Sequence, residues 1–280
     1  MTVVYLSGEY LPLDKATISV EDRGFLFADG VYEVVRFYGG RPFELEAHLD
    51  RFERSAEGAQ LPLSSVALGL GGIINRLLEE NNLQDTNFYV QYTRGAAHPR
   101  THTFPQEPRP TLLVMPAAIH SFPSDVYVRG VSALTMPDQR WRRCDIKSTM
   151  LLPNVVAKQR VRDQGAYEAI LIRDGVVTEG SSTNIFAVLN GSLVTHRADQ
   201  DILGGITRKV VLELAGDLGL HVEERAFGVE ELYRADEVFL TSTTSEVLPI
   251  TRVDTREIGA GRPGPVTLRL LDAYRRKAAS

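Results

Sequence analysis

The chain has 280 residues, of which 43% are hydrophobic and 24% charged, so a disordered tail, a fibrous repeat and a staple-dependent miniprotein are all excluded. Its formal net charge of −5 leaves no basic excess for nucleic acid, and the acidic surplus lies wholly in the first part of the chain. The single cysteine, Cys144, can build neither a disulfide framework nor a Cys-based zinc site, which suits a reducing compartment.

The opening MTVVYLSGEYLPLD shows no basic start ahead of an apolar stretch, and no segment reaches the ~18 apolar residues of a membrane span; the expected location is cytoplasmic. Alternating runs flank Ser7-Gly8 and again Gly39-Gly40, the spacing of tight hairpins. Leu49, Phe52 and Ala56 then recur at helical spacing, and a second helical pattern covers IINRLLEENNL. A strand-like NFYVQYTRG leads through the polar loop AAHPRTHTFP to TLLVMP. These elements form an α+β unit over residues 1–118. The segment PAAIHSFPSD, with Pro116 and Pro123 and no clear period, marks a boundary near Ile119. In the second unit, residues 119–280, hairpins are expected at Asp174-Gly175 and Asn190-Gly191. A helix follows at Thr207, with Val210, Val211, Leu214 and Leu218 on one stripe and Gly204-Gly205 just ahead. GVEELYRAD reads as a polar helix, and EVFL as a strand ending in the hydroxyl-rich Thr241 to Ser245. No doubly wound βαβ array is present, so the expected class is a two-domain α/β (α+β) protein.

Several segments could carry chemistry. Gly204-Gly205-Ile206-Thr207 leads directly into a helix, where free amides and the positive dipole end favour an anion, and Thr241 to Ser245 offers hydroxyl and amide donors. Taken singly, the plainer readings are an ordinary helix start and a Ser/Thr-rich surface loop, because most N-caps bind nothing. Only five of the basic residues are lysines: Lys15, Lys147, Lys158, Lys209 and Lys277. Lys147 alone stands between an arginine-rich strand end, with Arg142 and Arg143, and the apolar Met150 to Leu152. A lysine amine is a nucleophile at neutral pH only when burial or neighbouring cations perturb it, and a solvated lysine at a strand end is the plainer alternative. Glu179 opens Glu-Gly-Ser-Ser-Thr-Asn, and a carboxylate there could hold a pyridine nitrogen protonated, with Ser181 to Asn184 as nearby polar groups; a capped turn is the plainer alternative. Arg100 and His102 lie in a proline-bounded loop, where a planar guanidinium and an imidazole could grip a carboxylate. His98 and His102 have metal-ligand spacing, but Pro99 and Pro105 argue against a helix and no carboxylate completes a motif, so no metal is expected.

Taken in order, EDRGFLFADGVYEVV, HLDR, TRG followed by PRTH, RWRRCDIKS, AKQ, YEAIL, VTEGSSTN, GGITR and FLTSTTSE resemble the class IV aminotransferases. These are pyridoxal-phosphate enzymes of fold type IV, and the resemblance is strongest to the D-amino-acid branch. It implies a small N-terminal α/β domain and a larger C-terminal domain built on a mixed, barrel-like sheet. By the same resemblance Lys147 matches the lysine that carries pyridoxal 5'-phosphate as a Schiff base and later shuttles a proton, and Glu179 the partner of the pyridine nitrogen. Arg51, Ile206, Thr207 and Thr243 match phosphate-binding positions, Leu203 a residue against the cofactor ring, and Ser182 a polar position near it. Tyr32, Arg100 and His102 match the trap for the substrate α-carboxylate in D-specific members, the last two arriving from a neighbouring subunit, which implies a homodimer. The implied reaction is a ping-pong transamination through an aldimine on Lys147, with D-alanine and 2-oxoglutarate giving pyruvate and D-glutamate. A branched-chain L-amino-acid aminotransferase and aminodeoxychorismate lyase share the same lysine and glutamate and are the alternatives within the fold. A cofactor-free protein that holds an organic acid with Arg100 and His102 is the alternative from another class.

Overall fold

The computed structural model describes residues 1–65, 68–119 and 125–280; the core of the boundary segment PAAIHSFPSD therefore lies outside the described residues. The chain divides into two compact units, Met1–Ile119 together with Ile146–Met150, and the remainder. The stretch that carries Lys147 thus packs with the N-terminal unit, although it follows the sequence boundary near Ile119.

In the first unit the elements run β1 (Val3–Leu6), β2 (Glu9–Pro12), α1 (Arg23–Phe27), β3 (Gly30–Tyr38), β4 (Arg41–Pro42), α2 (Leu45–Gly58), α3 (Leu70–Glu80), β5 (Thr86–Thr93) and β6 (Thr111–Ala117). Among the described residues the strands form an antiparallel sheet in the order β2-β1-β6-β5-β3-β4. Ser7-Gly8 and Gly39-Gly40 make the expected hairpin turns, all four with positive φ. Along β3 the period-2 alternation sends Val31, Glu33, Val35 and Phe37 to the buried face. There they meet Phe52 and Ala56 of α2 and Leu70, Ile74 and Leu77 of α3. Phe37 and Phe88 pack edge to face at 5.2 Å. A charged residue in the inward register of a core strand requires a partner, and Glu33 has two, described below.

The second unit contains α4 (Val126–Arg129), β7 (Val131–Pro137), α5 (Leu152–Asp163), β8 (Glu168–Arg173), β9 (Val176–Gly180), β10 (Asn184–Leu189) and β11 (Ser192–Thr195). It continues with α6 (Ile206–Asp217), β12 (His221–Glu224), α7 (Val229–Tyr233), β13 (Glu237–Ser242), β14 (Glu246–Val253), β15 (Arg256–Glu257) and α8 (Pro265–Ala279). Its sheet is mixed, in the order β12-β11-β10-β13-β14-β7-β8-β9, with β15 on β14. The pairs β11/β12, β14/β7 and β7/β8 are parallel, two of them bridged by the crossover helices α5 and α6. Isolated βαβ crossovers thus occur within an otherwise hairpin-linked sheet. The turn after Gly180 feeds β9 straight into β10 near the middle of the strand order, so the sheet curls back on itself like a partial barrel. Ile170, Ile185, Ala187, Leu240, Leu248 and Ile250 fill one side, and Val210, Val211, Leu270 and Tyr274 are buried on α6 and α8. No helix among the described residues is long and apolar enough to cross a membrane.

Candidate active site

Two groups of sequence-marked residues gather, one in each unit. In the first, β3 presents Tyr32 and Glu33, and α2 presents His48, Arg51 and Ser55 along one face at i, i+3 and i+7. Arg51 grips the Glu33 carboxylate with two parallel bonds, Nε to Oε1 at 2.7 Å and Nη2 to Oε2 at 2.8 Å. His48 Nδ1 lies 2.8 Å from the same Oε2. Residues 146–150 lie against β3: the amide of Tyr32 donates to the Lys147 carbonyl at 3.0 Å and the amide of Thr149 to Gly30 at 3.0 Å. The amide of Lys147 donates to Ser55 Oγ at 3.1 Å. With its backbone held on both sides, Lys147 places Nζ 4.3 Å from the centroid of the Tyr32 ring, which in turn stacks on Tyr89.

The charges of this cluster are settled by burial and pairing. Burial alone would raise the Glu33 carboxyl, but the Arg51 guanidinium and the His48 ring more than offset it and hold Glu33 well below the usual carboxylate range. Burial, with Arg51 and Lys147 nearby, pushes the His48 imidazole below its ordinary value against the pull of Glu33, so the ring is neutral at pH 7. Burial and the neighbouring Tyr32 push the Tyr89 phenol up to about 12. The upstream arginines offered by the sequence as perturbing cations are engaged with carboxylates, Arg142 with Asp174 at 3.6 Å and Arg143 with Asp145 at 2.9 Å.

Arg100 and His102 form a separate pair in the same unit, both exposed, around the ring of Phe27. The Arg100 guanidinium is 4.4 Å from the ring centroid and the imidazole meets it edge-on at 5.4 Å.

In the second unit Glu179, near the end of β9, is buried and surrounded by donors. The amide of Leu203 donates to Oε2 at 3.1 Å, Asn184 Nδ2 to Oε2 at 3.0 Å, and Arg140 Nη1 to Oε1. Asn184 Nδ2 also donates to the Leu203 carbonyl at 2.8 Å, tying β10 to the loop before α6. Burial pushes the Glu179 carboxyl up, with Arg140 acting against that rise; Glu179 and Asp138 conversely hold Arg140 as a cation despite its burial. Gly205, the residue ahead of α6, lies so close to Asn184 that a Cβ there would stand 2.1 Å from Oδ1. It offers no side chain to cap the helix, whose leading amides, starting at Ile206 and Thr207, have no intrahelical acceptor. Asn184 pairs across the ladder with Thr241, so the start of α6 and the hydroxyl-rich end of β13 meet at one place. Thr241 Oγ1 is buried with no hydrogen-bond partner among the described residues. Thr243 lies in the adjoining turn, half-buried, and Ser182 is exposed in the turn between β9 and β10.

Three participants escape the sequence reading. Glu33 and His48 sit inside the quoted motifs, and the available signal is an acidic residue in the otherwise apolar inward register of β3. Arg140, the first residue of the quoted RWRRCDIKS, is largely buried and bonded to Asp138 and Glu179.

Comparison with known proteins agrees with this architecture. The family model for amino-transferase class IV matches residues 30–253. A D-alanine aminotransferase of Staphylococcus haemolyticus is 42% identical over 275 residues, covering 98% of this chain and 97% of that protein. One from Bacillus licheniformis is 43% identical over 264 residues, covering 94% and 93%. Among solved structures, the branched-chain aminotransferase of the thermophilic archaeon Thermoproteus uzoniensis with norvaline superposes with a TM-score of 0.85 at 29% identity, covering 99% of this chain and 95% of that one. The Escherichia coli branched-chain enzyme gives a TM-score of 0.87 at 26% identity, covering 98% and 93%. With sequence and fold agreeing along nearly its whole length, the chain belongs to the class IV aminotransferases.

Proposed function

We propose that the protein transfers amino groups between D-amino acids and 2-oxo acids with pyridoxal 5'-phosphate as cofactor, D-alanine and 2-oxoglutarate being the expected pair. The observation that carries this reading is the 42% identity to a D-alanine aminotransferase over 98% of the chain, against 29% to the archaeal branched-chain enzyme. The residues present suit a phosphorylated aromatic cation. A buried hydroxyl without a partner among the described residues, Thr241 Oγ1, and the uncapped start of α6 meet at one place, and a buried carboxylate stands beside them.

In this reading Ile206, Thr207 and Thr243 bind the phosphate, together with Arg51. Glu179 keeps a proton on the pyridine nitrogen, Leu203 lies against the ring and Ser182 gives a polar contact near it. When bound, the cofactor supplies a covalent anchor for the substrate amine and an electron sink for the α-carbanion. Lys147 Nζ carries the cofactor at rest and moves the proton at the substrate α-carbon. Asn184 holds Glu179 Oε2 and the loop of Leu203 in one network, so the carboxylate keeps its orientation without solvent. Tyr32 orients the substrate carboxylate together with Arg100 and His102 of a second copy, so a homodimer, in the cytoplasm, belongs to the same proposal.

The deciding experiment supplies the purified protein with 2-oxoglutarate and either D- or L-alanine and measures pyruvate. Pyruvate from the D isomer is expected; pyruvate from the L isomer alone would overturn the D-specific reading in favour of an L-amino-acid aminotransferase.

A further inference from the structure

The segment from Arg100 to Phe104 has no helix or strand of its own, yet three of its backbone carbonyls face one side chain. Arg23, the first residue of α1 and almost fully buried, donates through Nη1 to the carbonyls of Thr101 at 2.7 Å and Thr103 at 3.2 Å. Its Nη2 lies 3.4 Å from the carbonyl of His102, so three successive carbonyls face one guanidinium. Nε of Arg23 is fixed by Asp29 Oδ2 at 2.8 Å, the same oxygen that accepts from Arg94 Nε at 2.9 Å. Arg94 in turn donates to the carbonyls of Ala59 and Gln60 at the end of α2, each at 2.9 Å, and lies 3.6 Å from the centroid of Phe104. The grip on the loop is therefore anchored in the sheet and in α2.

One helical turn on from Arg23, the ring of Phe27 takes the Arg100 guanidinium on its face and the His102 ring against it at 72°. The position of α1 is itself fixed by Asp22, which accepts from the amide of Gly24 at 2.8 Å, from Thr93 Oγ1 at 2.9 Å and from Thr111 Oγ1 at 2.6 Å.

We propose that Arg23 and Phe27 are positioning residues for recognition of the substrate α-carboxylate: Arg23 holds the backbone of residues 101–103, and Phe27 sets the directions of the Arg100 and His102 side chains. The proposal rests on the reading that Arg100 and His102 take that carboxylate. Neither Arg23 nor Phe27 touches substrate in this scheme. Each acts by removing the freedom that a loop without secondary structure would otherwise lose on binding.

The test uses the holoenzyme and the variants Phe27→Leu and Arg23→Lys, each alone and combined with Arg100→Ala. Phe27→Leu keeps an apolar side chain of similar bulk and so remains informative should Arg23→Lys fail to fold. Expected for each single variant is a rise of about tenfold in KM for D-alanine, with kcat within about twofold and the bound-cofactor absorbance retained. Amide hydrogen exchange in residues 101–104 should rise in Arg23→Lys. In the Arg100→Ala background the same changes should raise KM by clearly less than in the single variants, because of the two groups they position only His102 remains. An unchanged KM in Phe27→Leu, or a full further rise on top of Arg100→Ala, overturns the proposal. An Arg100→Ala enzyme with an unchanged KM overturns instead the carboxylate reading on which it rests, and unchanged exchange in Arg23→Lys refutes the backbone grip on its own.

Discussion

Glu33 is 1% exposed and carries a charge, a combination that costs several kcal/mol unless the charge is matched. The Arg51 fork and the His48 contact supply the match, and they also fix these two side chains of α2. Removing one partner of a buried pair leaves the other uncompensated. Glu33→Gln preserves the shape but strands the Arg51 guanidinium, and should lower unfolding stability by about 3 kcal/mol in a urea titration. An unchanged midpoint would mean that the pair contributes nothing to folding. Lys158 shows the same logic at lower stakes: its Nζ donates to the Tyr167 carbonyl at 2.6 Å and lies 3.3 Å from the buried Glu168 carboxylate.

At the scale of elements, the Thr-Arg-Gly run at the end of β5 does three different things in three residues. Thr93 bonds Asp22, Arg94 bonds Asp29 and the end of α2, and Gly95 lets the chain pass the 109–110 segment. Gly95 has φ +81°, and a Cβ there would stand 1.7 Å from the Arg109 carbonyl oxygen. Both strain and collision forbid a side chain. Gly95→Ala should therefore cost at least about 2 kcal/mol, seen as a lowered thermal midpoint or loss of soluble protein. Wild-type stability in that variant would show that the two segments can separate at no cost. The α6 start follows a related rule: only glycine at position 205 admits Asn184, so the side chain that steadies Glu179 and the helix that offers its amides share one close approach.

For the molecule as a whole, buried titratable groups set how stability responds to acid. His48 is held neutral, with its folded value below the ordinary imidazole value. Below about pH 6.5 the unfolded chain takes up a proton that the folded His48 refuses, so stability falls as pH falls. Glu33, whose folded value is depressed, adds a further loss once pH drops below the usual carboxylate value and continues toward its folded one. Thermal midpoints should fall from about pH 7.5 to about 5.5, and His48→Gln should flatten that part of the curve; subtracting the two removes the contributions of other groups. Identical slopes in both proteins would mean that His48 binds its proton equally in the folded and unfolded chains.

Alternation and turn chemistry act over a few residues, so the hairpins at Ser7-Gly8, Gly39-Gly40, Asp174-Gly175 and Asn190-Gly191 and the helices α2, α3 and α6 are readable from the sequence alone. So are Lys147 and Glu179 as positions of interest, because an isolated lysine and an acid at a hairpin end stand out without any knowledge of neighbours. Their surroundings are not readable. The sequence puts Lys147 after the domain boundary, whereas hydrogen bonds to Ser55 and Tyr32 bind it to the first unit. Arg140 carries the same charge on the surface as in the interior, and only the pairing of β7 and β9 with β8 brings it to Glu179. Local pattern determines which elements form and which residues are unusual in them; which charges meet, and which are buried, is decided by packing between segments far apart in the chain, where desolvation makes each partner indispensable.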